Sequence, residues 1–260
     1  MKKHINLLID GDMFAFRACA SCEHEVNWGQ IWTLHVDLEE AKARFSEIVN
    51  DAVEKALKHY SEHLKTDVTY EMMICFSSHN NFRKTINPAY KVNRAGKRKP
   101  VAYNALVSWV KEEANTTEVD SLEADDIMGI LATMECYKDK CIVISGDKDM
   151  KCIYGYHYDF VHDEFGYVTP EEAYRNFLTQ TLMGDATDGY SGCPKIGKVT
   201  AGRLLDKECS WATVVAAYEK AGLSEDVALE NARMARILLS EDWDAKEKRV
   251  KLWTPTGTQS

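Results

Sequence analysis

Proline, glycine and long apolar runs are all scarce in this sequence. Five prolines and 14 glycines are spread over 260 residues, with no low-complexity tract and no repeat of solenoid period, so we expect a globular chain without a disordered tail. The amino-terminal apolar run, residues 5–9, is far too short for a signal peptide or a membrane span, and it ends in acids. We therefore expect a soluble, cytoplasmic protein with no membrane partner.

Eight cysteines are present, but their placement does not indicate a disulfide framework. Cys75 and Cys141 lie inside predicted buried strands, which favours reduced thiols. Cys19 and Cys22 form a single C-x-x-C inside the predicted first helix, with no second pair at zinc-finger spacing. That arrangement is more typical of helix thiols than of a zinc site.

Acidic residues are missing from one long segment. The formal net charge is −9, yet no Asp or Glu occurs between residues 72 and 111, and this segment carries +8, which leaves −17 for the rest of the chain. A solvated loop face would explain the charge alone. Cations interleaved with aromatics such as Phe82, Tyr90 and Tyr103 are more typical of a surface that binds nucleic acid. The basic residues are Arg83, Lys84, Lys91, Arg94, Lys97, Arg98, Lys99 and Lys111.

Short apolar segments alternate with longer amphipathic ones along the first two thirds of the chain. Buried strands are predicted at residues 5–9, 72–76 and 141–145. Helices are predicted at residues 37–64 and 103–114, and mainly helical sequence runs from Pro170 to about residue 239. This alternation predicts an α/β fold with a mostly parallel sheet flanked by helices, in which ligands bind at the carboxyl ends of the strands.

Acidic side chains follow two of these strands and recur at two further places. One group lies in the first turn of a helix that has Ser121 as a candidate N-cap. Each pair alone is typical of a cap or a turn, but four groups at one edge would repel one another without a cation. An all-oxygen set suits two hard ions, Mg²⁺ or Mn²⁺, in phosphate-ester hydrolysis. The groups are Asp10 with Asp12, Glu123 with Asp125 and Asp126, Asp147 with Asp149, and Asp185 with Asp188.

A glycine-rich segment follows the last of these acids. The pattern G-x-P-x-I-G-x-x-T-A at residues 192–201 places a tight turn before a helix whose first amide groups can receive a phosphate oxygen. An ordinary glycine-capped turn between helices is the alternative. Lys195 and Lys198 in this turn, and its position just beyond Asp188, favour phosphate binding.

Four motifs together resemble the flap endonuclease/5′→3′ exonuclease superfamily. LLIDGD, LEADD, ISGDKD and MGDATDGYSGCPKIG occur in that family's order and spacing, and NFRKTINPAYKVNR is similar to its basic arch. The GDATDGYSG form and the closing KLWTP most resemble the stand-alone 5′→3′ exonucleases of short-tailed bacteriophages. The resemblance implies a PIN-like nuclease core at residues 1–170, with the arch at 80–100. It also implies a helical DNA-binding region at 171–260, with a helix-three-turn-helix near 182–206.

The same resemblance implies a role for each matching residue. Two divalent ions, Mg²⁺ or Mn²⁺, would be held by carboxylates, and a monovalent cation such as K⁺ would assist the helix-three-turn-helix. Asp10, Glu123, Asp125 and Asp147 would hold the first divalent ion, and Asp149, Asp185 and Asp188 the second. Lys91, Arg94 and Arg83 would polarise the scissile phosphate, and Tyr90 would stack on a terminal base. Lys84, Gly192, Lys195, Ile196, Gly197, Lys198 and Thr200 would bind DNA.

The chain departs from the family's pattern at one position. The family usually has an Asp after the second strand, where this chain has Ser78. Asp12 stands where the family commonly has a neutral residue, and our hypothesis is that it compensates for the missing ligand. Asp126 is expected to cap its helix or to lie behind the ligands.

Motifs and resemblance together predict 5′→3′ hydrolysis of DNA phosphodiesters to 5′-phosphorylated products, in phage replication, recombination or primer removal. The expected substrate is double-stranded DNA with a 5′ end or flap, or an RNA–DNA hybrid. Two alternatives stay open. The D-x-D at residues 10–12 also matches haloacid-dehalogenase-like phosphatases, which need neither the basic segment nor the glycine turn. Ser78 also leaves open a non-catalytic DNA-binding module of the same fold.

Overall fold

Strands and helices alternate along the chain in the computed structural model, which describes residues 3–65, 67–94 and 96–255. Small parts of the two expected domains lie outside the described residues, namely residues 1–2, 66 and 256–260. The same holds for residue 95 of the expected arch. The strands are β1 (Lys3–Asp10), β2 (His24–Asn27), β3 (Trp32–His35), β4 (Val68–Phe76), β5 (Thr116–Glu118), β6 (Cys141–Ser145), β7 (Gly155–Asp159), β8 (Glu164–Val168), β9 (Trp243–Asp244) and β10 (Arg249–Val250). The α-helices are α1 (Gly11–Ser21), α2 (Leu38–Leu64), α3 (Arg83–Ile86), α4 (Tyr103–Glu113), α5 (Ala124–Thr133), α6 (Pro170–Met183), α7 (Lys198–Lys207), α8 (Trp211–Lys220) and α9 (Glu225–Ala235).

The central sheet has the strand order β5-β4-β1-β6-β7-β8. Neighbouring strands in it are parallel except β7 and β8. The strands predicted from apolar runs are β4, β1 and β6, and Ile9 pairs with Ile74 on one side and with Ile144 on the other. The predicted α/β fold with a mostly parallel sheet is confirmed, and the carboxyl ends of these strands meet at one edge.

Helices cover both faces of the sheet because side chains alternate along β1. Ile5, Leu7 and Ile9 pack with α1, α2 and α4, whereas Leu8 packs with α5 and with α6 to α9. Burial on both faces explains why the central strands are continuous apolar runs in the sequence. The predicted helices at residues 37–64 and 103–114 correspond to α2 and α4.

Elements at the periphery were not predicted from the sequence. The hairpin β2–β3 lies between α1 and α2, and its tip leaves Trp28 65% and Trp32 63% exposed. β8 closes the sheet as an antiparallel edge strand next to β7. In such places apolar residues do not mark burial, and periodicity alone cannot locate the strand.

The carboxyl-terminal part is mainly helical, as predicted after Pro170. Pro170 occupies the first turn of α6, behind a capping box formed by Thr169 and Glu172. The segment ends in the small hairpin β9–β10. Over the described ranges, no helix is both long and apolar enough to cross a membrane.

Candidate active site

A cleft of about 740 Å³ opens at the edge of the sheet where the central strands end. Acidic side chains from β1, α1, the start of α5 and the segment after β6 line it together with basic side chains from α1 and from the segment before α4. The acids are Asp10, Asp12, Glu123, Asp125 and Asp147. The cations are Arg17, Lys91, Arg94, Lys97, Arg98 and Lys99, of which Arg17 was not expected from the sequence.

Asp10 ends β1 and caps α1. Its carboxylate accepts hydrogen bonds from the Met13 amide (3.1 Å) and from the Ser145 hydroxyl (2.8 Å) at the end of β6. Burial, with smaller contributions from the charges of Asp12 and Asp147, raises the pKa of Asp10 to about 6. A buried carboxylate of this kind favours a cation beside it.

Glycine is required between the two acids of the D-G-D motif. A Cβ at Gly11 would lie 2.7 Å from the Ile74 side chain and 2.8 Å from the Cys75 carbonyl oxygen. The close approach of α1 to β4 places Asp12 near the end of β4. There its carboxylate accepts hydrogen bonds from the Ser77 amide (2.9 Å) and the Tyr103 hydroxyl (2.6 Å).

The start of α5 differs from the sequence expectation. Ser121 is not the N-cap, because its backbone is left-handed with φ of 68° and the helix begins at Ala124. Glu123 is the N-cap, and Asp126 accepts a hydrogen bond from the Glu123 amide (3.2 Å) in a capping box. The expected capping role of Asp126 is confirmed.

Glu123 and Asp125, on either side of Ala124, titrate in opposite directions. Glu123 accepts hydrogen bonds from Tyr90 (2.6 Å), Arg83 (3.3 Å) and Lys91. Although burial favours its protonated form, Arg83 and Lys91 lower the pKa of Glu123 to about 2. Asp125 accepts no hydrogen bond from any described residue. Burial and the charges of Glu123 and Asp126 raise its pKa well above the usual range.

Asp147 and Asp149 lie in the turn after β6. The Asp147 carboxylate accepts a hydrogen bond from the Asp149 amide (2.9 Å), and the Asp147 amide donates to the Ser145 hydroxyl (3.1 Å). Burial raises the pKa of Asp149 to about 6, with further contributions from Asp147, Asp185 and Asp188. The charges of Asp185 and Asp188, which the resemblance groups with Asp149 at a second ion, thus act on the Asp149 carboxyl group.

The segment at residues 87–94 packs against the turn at residues 185–189. The Lys91 amide donates to the Asp188 carbonyl (2.9 Å), and the Asn93 side chain donates to the Ala186 carbonyl (2.7 Å). Arg94 also pairs with the Asp188 carboxylate. Gly189 has φ of 86°, and a Cβ there would lie 2.9 Å from the Ala89 carbonyl oxygen. This contact brings Lys91 and Arg94 to the acids, and the sequence did not predict it.

The structure corrects the expected roles of Arg83 and Tyr90. The Arg83 guanidinium is buried, donates two hydrogen bonds to Asp126 (2.7 and 2.8 Å), and also donates to the carbonyls of Met234 (3.1 Å) and Arg236 (2.5 Å). It therefore cannot reach a phosphate without breaking these bonds. Tyr90 is also buried, with its hydroxyl on Glu123, so its ring is not available to stack on a base.

The glycine-rich segment connects α6 to α7. Gly184 and Gly192 have left-handed backbones, and a Cβ on either would lie within 2.4 Å of the other's backbone nitrogen. The Gly192 amide donates to the Asn231 side chain (2.8 Å), a contact that the sequence did not predict. Lys195, Gly197, Lys198 and Thr200 are exposed at the start of α7, and Lys84 is exposed on α3. Ile196 is half-buried and Gly192 is buried.

The acids are gathered at one edge without forming a closed cage. Among the described residues, no three His, Cys, Asp or Glu side chains are arranged as a preformed metal site. Glu123 and Asp188 instead contact Lys91 and Arg94. The donor set nonetheless fits hard divalent ions, which prefer oxygen ligands. The described residues that line the cleft supply carboxylate oxygens and include no His or Cys.

Ser78 and the pair Cys19 and Cys22 lie outside this arrangement. The Ser78 hydroxyl donates to Asp120 (3.3 Å), beside a smaller pocket of about 240 Å³ next to the cleft. Both cysteines are buried near the end of α1, and burial raises the pKa of Cys19 to about 11.

Comparison with solved structures identifies the fold. The bacteriophage T5 flap endonuclease, solved as a pseudo-enzyme-product complex with DNA and metal ions, matches with a TM-score of 0.60. The match covers 90% of this chain and 89% of that protein at 14% sequence identity. The expected PIN-like nuclease fold is confirmed.

Sequence comparison identifies the family. The exodeoxyribonuclease of Enterobacteria phage T3 is 31% identical over 289 aligned positions, which cover 96% of this chain and 92% of the relative. The exonuclease of Escherichia phage T7 is 29% identical over 289 positions, covering 96% and 93%. Residues 6–177 match the family described as 5′-3′ exonuclease, N-terminal resolvase-like domain. The resemblance carried by the four motifs is confirmed, and this chain belongs to the 5′-3′ exonuclease family.

Proposed function

We propose that this protein is a metal-dependent 5′→3′ exonuclease that hydrolyses DNA phosphodiesters and leaves 5′-phosphorylated products. The observation that carries the proposal is the cleft of about 740 Å³, whose lining combines carboxylates near the strand ends with lysines and arginines. A site for small phosphate monoesters would not need six cations in its lining. The T3 and T7 relatives, named as exonucleases over nearly the same length, support the same reaction.

The carboxylates are proposed to hold two divalent ions, Mg²⁺ or Mn²⁺. When bound, such ions supply a Lewis acid that activates water and stabilises the leaving oxygen of a phosphodiester. The chain supplies the oxygen ligands from rigid positions, namely the ends of β1 and β6, the N-cap of α5 and the turn after α6. Asp10, Glu123, Asp125 and Asp147 would hold one ion, and Asp149, Asp185 and Asp188 the other.

Lys91 and Arg94 are proposed to bind the scissile phosphate. Both line the cleft, and their backbone is fixed by the contact with the turn at residues 185–189. Their pairing with Glu123 and Asp188 places each cation directly beside a proposed ligand. A phosphate held there would be bound by Lys91 and Arg94 next to the carboxylates that are proposed to hold the ions.

The start of α7 is proposed to bind the phosphates of a DNA duplex. Lys195 and Lys198 are exposed beside the first amide groups of the helix, which have no intrahelical acceptor. A monovalent cation such as K⁺ is proposed in the same helix-three-turn-helix. The T5 relative was solved with DNA. We infer double-stranded DNA with a 5′ end or flap, or an RNA–DNA hybrid, as the substrate.

Incubation of a 5′-labelled duplex with the protein and Mg²⁺, with EDTA as the control, tests this function. Short 5′-phosphorylated products that form only with the metal are expected. Intact DNA that is tightly bound would instead indicate a non-catalytic DNA-binding module. Release of phosphate from small monoesters without cleavage of DNA would favour a phosphatase.

A further inference from the structure

Asp12 joins three elements at the floor of the cleft. It lies in the first turn of α1, and its two carboxylate oxygens accept hydrogen bonds from two different elements. One oxygen accepts from the Ser77 amide (2.9 Å), directly after β4, and the other from the Tyr103 hydroxyl (2.6 Å), at the start of α4. Both oxygens are thus directed at donors of the protein.

Ser77 extends this connection to α5. Its hydroxyl oxygen accepts a hydrogen bond from the Ala124 amide (3.0 Å). Ala124 is the first residue of α5, so its amide has no acceptor within the helix. The residues on either side of Ala124 are Glu123 and Asp125, two of the proposed ligands. The position of Ser77 therefore fixes the backbone that carries both carboxylates.

The other acid of the D-G-D motif makes the same kind of connection on the opposite side of β1. Asp10 accepts from the Ser145 hydroxyl (2.8 Å), and Ser145 in turn accepts from the Asp147 amide (3.1 Å). Each aspartate thus contacts a serine at the end of a neighbouring strand, and each serine holds the amide of an acid-bearing segment. The two connections differ in the donor, because Asp10 is buried and accepts from a serine hydroxyl, whereas Asp12 is half-buried and accepts from a serine backbone amide.

We propose that Asp12 is a positioning residue, which acts through Ser77 to set the start of α5 so that Glu123 and Asp125 face the cleft. Asp12 does not serve as a metal ligand in place of the aspartate that the family usually has at the position of Ser78. This inference rests on the proposed nuclease function. It explains why an additional acid is retained in an already acidic cleft: its charge strengthens hydrogen bonds that a neutral side chain would make more weakly.

Four variants separate positioning from ligation. Ser77→Ala removes the acceptor for Ala124 without changing any charge, and Asp12→Ala removes both hydrogen bonds. Asp12→Asn removes the charge but can keep both contacts, since its oxygen can accept from Ser77 and its amide can donate to the Tyr103 hydroxyl. Ser78→Ala is the matched control, because its hydroxyl contacts Asp120 outside the cleft.

Three measurements are made on each full-length variant. Amide hydrogen exchange at Ala124, followed by NMR in EDTA, reports the hydrogen bond from the Ala124 amide to Ser77 in the absence of metal and substrate. Titration calorimetry with Mn²⁺ reports ion affinity. Cleavage of a 5′-labelled duplex with Mg²⁺ gives kcat and KM.

Ser77→Ala and Asp12→Ala are expected to speed Ala124 exchange and to lower Mn²⁺ affinity and kcat by about 10-fold, with KM little changed. Asp12→Asn is expected to lose only about threefold, because both contacts are kept but neither is strengthened by a charge. Ser78→Ala should match the parent protein. The inference is overturned if Asp12→Asn loses as much Mn²⁺ affinity as Asp12→Ala while Ser77→Ala retains it, because Asp12 would then be a ligand. A parent protein that binds Mn²⁺ but leaves DNA intact would instead contradict the proposed function.

Discussion

At the scale of single residues, carboxylates at this edge of the sheet differ in proton affinity because their surroundings differ. Glu123 has a pKa of about 2 beside Arg83 and Lys91, whereas burial raises the pKa of Asp10 and of Asp149 to about 6. The cations of the arch thus neutralise one side of the acid group, while the other side retains carboxylates that favour a proton or a metal ion. Burial raises the pKa of Asp10, Asp125 and Asp149, so a divalent ion bound beside them would favour their deprotonated forms.

Asp147 offers the most direct test of metal ligation. It lines the cleft, and Asp147→Ala removes a proposed ligand from the turn that follows β6. We expect turnover to fall by more than about 100-fold, whereas DNA affinity in EDTA is largely kept. Loss of a residue that only hydrogen-bonds to a metal ligand typically costs up to about 100-fold. Asp51→Ala, on the exposed surface of α2, is the control. Equal loss of binding and turnover would exclude Asp147 as a ligand.

Arg83 is expected to act on stability rather than on phosphate binding. Arg83→Met leaves the buried Asp126 carboxylate without its charged partner. We expect a loss of about 3–5 kcal/mol in the free energy of unfolding, measured by urea denaturation. Lys84→Met, at the exposed neighbouring position, should change it by less than about 0.5 kcal/mol. Unchanged stability with lost cleavage would restore the direct phosphate role expected from the sequence.

At the scale of elements, the sequence predicts what depends on local pattern. The central strands are buried on both faces, so they stand out as apolar runs, and the acids that follow them could be placed at one edge. The roles of Arg83 and Tyr90 could not be predicted in the same way. Arg83 is fixed by the carbonyls of Met234 and Arg236, about 150 residues away, and nothing near it in the sequence marks it as buried. The sequence of the arch therefore looks uniformly basic, although Arg83 is buried.

The turn before α7 is the element on which the proposed grip on duplex DNA depends. Lys198 is exposed at the first position of the helix, and Lys207 lies at its last position, about 14 Å away. Lys198→Ala should weaken duplex binding and reduce the slope of log affinity against log salt by about one, as measured by fluorescence anisotropy. Lys207→Ala is the matched control and should leave the slope unchanged. The same slope in both variants would remove Lys198 from the phosphate contacts.

At the scale of the whole molecule, positive and negative charges are unevenly distributed along the chain. The acid-free segment carries +8 and the rest of the chain −17. The segment does not stand apart, because Arg98 pairs with Glu23 and Arg94 with Asp188. Within the cleft, Lys97, Arg98 and Lys99 therefore provide positive charge for a polyanion although the chain is acidic overall, and divalent ions bound to the carboxylates would reduce repulsion from the acids.

The dependence of stability on pH follows from the carboxyl groups whose pKa is raised in the folded protein. A raised carboxyl pKa contributes stability below the unfolded value near 4, and this contribution is lost as pH rises through 6. Asp10 and Asp149 therefore destabilise the metal-free protein above pH 6. Glu123 does not act in this range, since its lowered pKa matters only below about 4.5. Buried His157, with its pKa lowered to about 4, acts in the opposite sense but lies away from the acids, so its contribution is the same with and without metal.

Mg²⁺ should offset this loss, because it binds the deprotonated carboxylates of the native state. We expect the rise in Tm on adding Mg²⁺, measured against EDTA by scanning calorimetry, to be larger at pH 7.5 than at pH 5. The difference between the two conditions cancels the contribution of His157. Asp149→Asn removes one of the proposed ligands whose pKa is raised and should reduce the dependence of this rise on pH. An equal rise in Tm at both pH values would mean that the ion does not bind where burial raises the pKa of Asp10 and Asp149.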